Sequence, residues 1–276
     1  MRKARVLFVS QEITPYLDET HIGKIARRLP QAIQERGKEI RTFMPKYGNI
    51  NERRHQLHEV IRLSGMNIVI NNADHPLIIK VASIPTARMQ VYFIDNDDYF
   101  QRKAVLTDKA TGKYFDDNDE RTVFFNRGVI ETVKKLGWAP DVIHCHGWFT
   151  GLIPLYIKKA FSEDPLFSET KIVFTLYDEE FTKSLNKKIV DKAIIDGVTK
   201  KELKHLEDAS YVNLMKLSMD FADGITFGSE TINEELVKYA KKTGKPLLEF
   251  KGEAEYADAY NEFYDLVLED TSILAD

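Results

Sequence analysis

Two histidines one residue apart, His144 and His146, lie in the run Asp141-Val142-Ile143-His144-Cys145-His146-Gly147-Trp148-Phe149. If Val142 to His144 is a strand, alternation turns both imidazoles to one face and Cys145 to the other. Imidazoles so placed can ligate a metal, hydrogen-bond a ligand, or sit satisfied at a core edge. Ligation needs a third group, and Gly147 and Phe149 supply none, so no metal is expected. Cys145 reads as a small buried hydrophobe. A second cluster, Asp116-Asp117-Asn118-Asp119-Glu120-Arg121, precedes apolar residues at helical spacing. Its carboxylates either cap that helix and offset its dipole, or face a ligand. Two further polar loops follow apolar runs. One is Ser10-Gln11-Glu12-Ile13-Thr14-Pro15-Tyr16 with Asp18-Glu19-Thr20-His21 behind it, and the other is Tyr177-Asp178.

The elements that must position these loops are short apolar runs: Val6 to Val9, Ile40 to Met44, Val91 to Ile94, Val142 to His144, Ile172 to Leu176 and Gly224 to Phe227. Helical stripes lie between them, Ile22, Ile25, Ala26 and Leu29 after the first and Val123, Phe124, Val129, Ile130, Val133 and Leu136 before the fourth. Alternation of strand and helix predicts an α/β fold with a doubly wound, mostly parallel, Rossmann-like sheet. In such sheets ligands bind outside the carboxyl ends of the strands, where all four polar loops fall. Leu57 to Val81, with turn residues Asn71, Asn72, Asp74 and Pro76, reads as a small antiparallel insertion. Arg102 to Tyr114 reads as a mobile surface loop, Lys183 to Lys204 as a solvated lysine-rich face, and Lys241 to Gly252 as a linker. Ala257, Tyr260, Tyr264 and Val267 then share one stripe of a closing helix, and Thr271 to Asp276 should fray.

Composition narrows the function classes. With 39 Lys plus Arg against 43 Asp plus Glu, the net charge of -4 gives no electrostatic drive toward nucleic acid or anionic lipid. No apolar run nears the roughly 20 residues of a membrane span. The single cysteine precludes an internal disulfide, and Met1 to Arg5 leads directly into a strand instead of a signal peptide, so the cytoplasm is the expected compartment.

The loops together resemble the glycogen/starch synthases, retaining glycosyltransferases of family five with the two-domain GT-B fold. Those enzymes carry Ser-x-Glu-x-x-Pro-Phe, Lys-Thr-Gly-Gly and Ala-Leu-Pro, matched here by Ser10 to Tyr16, Asp18 to His21 and Leu29-Pro30. Their Asp-Asn-x-x-Arg resembles Asp117-Asn118-Asp119-Glu120-Arg121, and their His-x-His-Asp-Trp-His resembles His144 to Phe149. Their Thr-x-His-Asn corresponds to Thr175-Leu176-Tyr177-Asp178, and their Leu-Lys, Ala-Asp and Ser-Pro-Thr to Asn213-Leu214-Met215-Lys216, Ala222-Asp223 and Ser229-Glu230-Thr231. The resemblance runs from about Arg5 to about Leu236. It implies catalytic roles for Asp117 and His146, and substrate contacts from Glu12, Asn118, Arg121, His144, Trp148, Tyr177 and Asp178.

The departures are as informative as the matches. Asp18 stands where the family's diphosphate-gripping lysine belongs, and Thr20 and His21 replace its glycine pair, so Asp18, Glu19, Thr20 and His21 form a degenerate phosphate loop. A carboxylate there repels a diphosphate by about 1 kcal/mol at ~4 Å even in water. Residues 1–240 are accordingly expected to be the acceptor-side Rossmann-like domain, and 241–276 a linker, the closing helix and a tail, with the donor-binding domain missing. The expected function is a synthase-like protein without autonomous glucosyl transfer, needing no cofactor and binding a glucan or small sugar through the old cleft. The alternatives are an active ADP-glucose-dependent α-1,4-glucan glucosyltransferase, working as a split enzyme or oligomer, and an interaction protein docking a partner or a second copy on the former interdomain face.

Overall fold

A computed structural model describes residues 2–269. Ten strands are present among them: β1 (Arg5–Ser10), β2 (Glu39–Pro45), β3 (His58–Glu59), β4 (Met66–Ile70), β5 (Ala73–Ile84), β6 (Met89–Asp95), β7 (Val142–His146), β8 (Lys171–Leu176), β9 (Gly224–Phe227) and β10 (Leu247–Leu248). They form one sheet in the order β10-β9-β8-β7-β1-β2-β6-β5-β3, with β4 paired to β5 beside that path. The pairs from β10 through β6 are parallel, and those made by β5 are antiparallel. The chain winds outward from β1 through β2 to β6 and then returns to set β7 on β1's other side. That reversal opens a crevice at the carboxyl ends of β1 and β7.

The near-continuous apolar runs of the central strands follow from burial on both faces. The helix His21–Glu35 lays Ile22, Ala26, Leu29 and Ile33 on one face, and the helix Asn118–Leu136 buries Val123, Phe124, Val129, Ile130 and Val133 on the other. The closing helix Tyr256–Glu269 buries Tyr260, Phe263, Tyr264 and Val267 in a cluster with Val6, Phe8, Leu29, Ile33, Val142 and Val173. No described helix is long and apolar enough to cross a membrane.

Four segments depart from the sequence reading. The antiparallel insertion is larger than expected, because β5 runs for 12 residues and extends the main sheet through β6. The stretch read as a linker contains the end of the helix Glu234–Lys242 and strand β10, which pairs with β9. An edge strand of two residues is too short to show a periodicity. The loop after Arg102 has internal structure that the sequence did not show: Thr107 bridges to Tyr114, and Leu106 O accepts from Phe115 N and from Asn118 Nδ2. In the lysine-rich stretch, Lys192 is buried and pairs with Asp119 at 2.6 Å and Glu120 at 2.8 Å, while Ile189, Ala193, Val198 and Leu203 join the core. Opposite charges more than 70 positions away decide its burial. Thr271 to Asp276 lies outside the described residues.

Candidate sugar cleft

At the crevice the chain builds a network around one amide. Gln11, just past β1, is buried and donates from Nε2 to Glu12 Oε1 at 3.1 Å and to Glu179 Oε2 at 2.7 Å. Its Oε1 accepts from Phe149 N, and the Trp148 backbone N–H donates to Glu179 Oε1 at 2.8 Å. Gly147 lets this happen. Its φ of +86° suits glycine, and a Cβ there would lie 2.4 Å from Gln11 Oε1. The position that holds aspartate in the resembled pattern is therefore filled from outside by Gln11.

The degenerate loop is a helix cap. Thr20 Oγ1 accepts from Gly23 N at 3.0 Å and donates to Glu12 Oε2 at 2.6 Å, so a helix N–H group that could meet an anion is already bonded. His21 Nε2 donates to Gly228 O at 2.6 Å. Asp18 and Glu19 are exposed on the adjoining turn, Glu19 facing Lys24 at 3.4 Å.

These parts line a cleft of about 280 Å³ that gathers Glu12, Thr20, His21, Trp148, Tyr177 and Asp178 from the residues singled out in the sequence. Glu179, missed there, lines it too. Its signal was its place beside Asp178 just beyond a strand's carboxyl end. Desolvation pushes the Glu179 carboxyl up to about 8, helped by the charge on Glu12 and opposed by the Trp148 N–H and the Gln11 amide. The lining includes three acidic side chains, Glu12, Asp178 and Glu179, and neither lysine nor arginine.

The cleft lining leaves out Asp117, Asn118, Arg121, His144 and His146. His146 is fully buried, with Nδ1 hydrogen-bonded to Tyr177 Oη at 2.7 Å and Nε2 without a partner. Burial holds it down to about 3, so it is neutral at ordinary pH. The Tyr177 ring lies flat enough over Gly228 that a Cβ there would come within 2.3 Å of it. His144 lies deeper, bonded to Tyr264 Oη and Thr175 Oγ1 at 2.6 Å each, a satisfied core histidine under the closing helix. Arg121 is buried among Phe100, Phe115 and Tyr47, donating to Tyr99 O and Asn118 Oδ1. Asp117 does not cap its helix through its side chain; it pairs with Arg102 at 2.7 Å, and its other oxygen is buried unbonded.

The sequence model of the starch synthase catalytic domain matches residues 5–249. The chain belongs to that family. Among starch synthase relatives, the glycogen synthase of Chlorobium limicola is 35% identical over 236 residues, covering 86% of this chain and 48% of its own length. That of Chlorobium chlorochromatii is 39% identical over 177 residues, 64% of this chain and 36% of that protein. The chain spans about half the length of the curated relatives it matches. The catalytic domain of starch synthase IV from Arabidopsis thaliana, solved with ADP and acarbose, superposes with a TM-score of 0.75 at 18% identity over 90% of this chain and 51% of that one. That likeness gives the starch synthase fold to the sheet described above.

Proposed function

We propose that this starch synthase-family chain binds a neutral saccharide, such as the end of a glucan, in the cleft between Glu12, Tyr177 and Glu179, and does not by itself transfer glucose from a nucleotide sugar. The observation that carries this reading is the cleft's lining of acidic side chains without lysine or arginine, at the helix N-terminus where a diphosphate would need cations. Thr20 and Asp18 strengthen it, one by occupying a helix N–H and the other by its charge. Carboxyl groups and hydroxyls are suited to sugar hydroxyls.

Calorimetric titration with maltooligosaccharides, acarbose and ADP-glucose tests the reading. Binding of the saccharides without ADP-glucose is expected. Incorporation of glucose from ADP-glucose into glucan by the purified chain would overturn it in favour of a working glucosyltransferase.

A further inference from the structure

At the opposite end of the sheet, where the strands begin, a second cavity of about 410 Å³ opens between Gln34, Glu39, Arg41, Arg88, Gln90 and Trp138. The guanidinium of Arg41 stands 5.2 Å from the Trp138 ring centre and 5.6 Å from that of Tyr92, and its Nη1 donates to Tyr92 Oη at 2.6 Å. Tyr92 is in turn stacked on the buried Phe43. The fork is thus held between aromatic groups with Nε and Nη2 unused, the preorganised edge that suits an oxyanion.

Arg88 faces the same cavity and is exposed. It has φ +49° and ψ +39°, a left-handed conformation that disfavours a long L side chain. Among the described residues no carboxylate pairs with Arg41 or Arg88, and the side-chain amides of Gln34 and Gln90 make no hydrogen bond. The one carboxylate of the lining, Glu39, is engaged by Arg5 at 3.1 Å. Two unpaired guanidiniums, two free amides and a strained backbone converge on one cavity.

We infer that this cavity is a binding site for a phosphoryl group, carried either as free phosphate or as a small phosphate monoester. Arg41 receives two of its oxygens through the free edge, Arg88 closes over a third, and Gln34 and Gln90 stand where the hydroxyls of an ester's carbon part would lie. The volume exceeds what phosphate alone fills. No step of the saccharide reading depends on this site, which lies across the sheet from the cleft.

The test is calorimetric titration of the whole chain at low ionic strength with inorganic phosphate and with a hexose monophosphate. Saturable binding is expected, weakened about tenfold or more by Arg41→Lys, which keeps the charge but loses the fork, and by Arg88→Gly, which keeps the turn but loses the guanidinium. Maltooligosaccharide binding should be unchanged in both variants, which also reports that they are folded. Tighter binding of the ester assigns it as the ligand, and equal binding assigns free phosphate. Absence of binding, or binding indifferent to both substitutions, overturns the proposal.

Discussion

Tyr177 covers His146, with its Oη 2.7 Å from Nδ1 and both side chains buried. The histidine to which the family resemblance gives a catalytic role is therefore out of the cleft, and Tyr177 lines the cleft in its place. In the native chain His146 should resist modification by diethyl pyrocarbonate. Tyr177→Ala should expose it, and peptide mapping after a brief reaction would show the gain; equal labelling of both proteins would contradict the covering.

The two buried histidines make a pH prediction. Burial lowers His146 to about 3 and His144 well below its ordinary value of 6.5, so the unfolded chain binds protons that the folded chain does not. Their contribution to stability is full above about pH 6.5 and falls as pH drops, by roughly 1.4 kcal/mol per pH unit for each histidine. Glu179 acts with the opposite sign: its raised value lets the folded state hold a proton between its ordinary 4.5 and about 8, so its share is lost as pH rises through that range. With one histidine removed, the stability measured by urea unfolding should rise less steeply between pH 4 and 7 in His146→Gln than in the parent.

Restoring the family's aspartate at Gly147 should harm this protein. Gly147→Asp forces a side chain onto φ +86° and into Gln11, for a cost of roughly 1–3 kcal/mol from the backbone and a similar amount from overpacking. Adding Gln11→Ala should recover the packing share only. A double-mutant cycle showing no coupling between the two sites would refute the contact.

Lys192 and Asp119 form a buried pair, and cutting one partner should cost more than removing both. Lys192→Met leaves the enclosed Asp119 carboxyl, which desolvation already pushes up, and the neighbouring Glu120 without their cation, an expected loss of about 3–5 kcal/mol. Combining it with Asp119→Leu should regain most of that loss, measured by denaturant midpoint.

The closing helix holds the second core cluster together. Tyr264→Asp buries a carboxylate among Phe8, Val142 and Val173 and strips His144 of a hydrogen bond, so a loss above about 3 kcal/mol is expected. Unchanged thermal stability in that variant would show that the helix does not cap the domain.

What the sequence by itself determined was the scaffold and its kinship. Apolar runs such as Val6 to Val9 and Ile172 to Leu176 are strands because both of their faces need burial, a requirement written in consecutive residues. Loop spelling at Ser10 to Tyr16 and at His144 to Trp148 carried the family and the end of the sheet where the cleft lies. Only the tertiary structure decided which polar residues reach that cleft. His144 and His146 share a strand face yet are both covered, one by Tyr264 and the other by Tyr177, while Glu179 reaches the cleft through Gln11 and Trp148. Lys192 looked solvated until Asp119 was placed beside it. Exposure and hydrogen-bond partnership belong to pairs of residues far apart along the chain, and a local pattern carries no term for a partner tens of positions away or more.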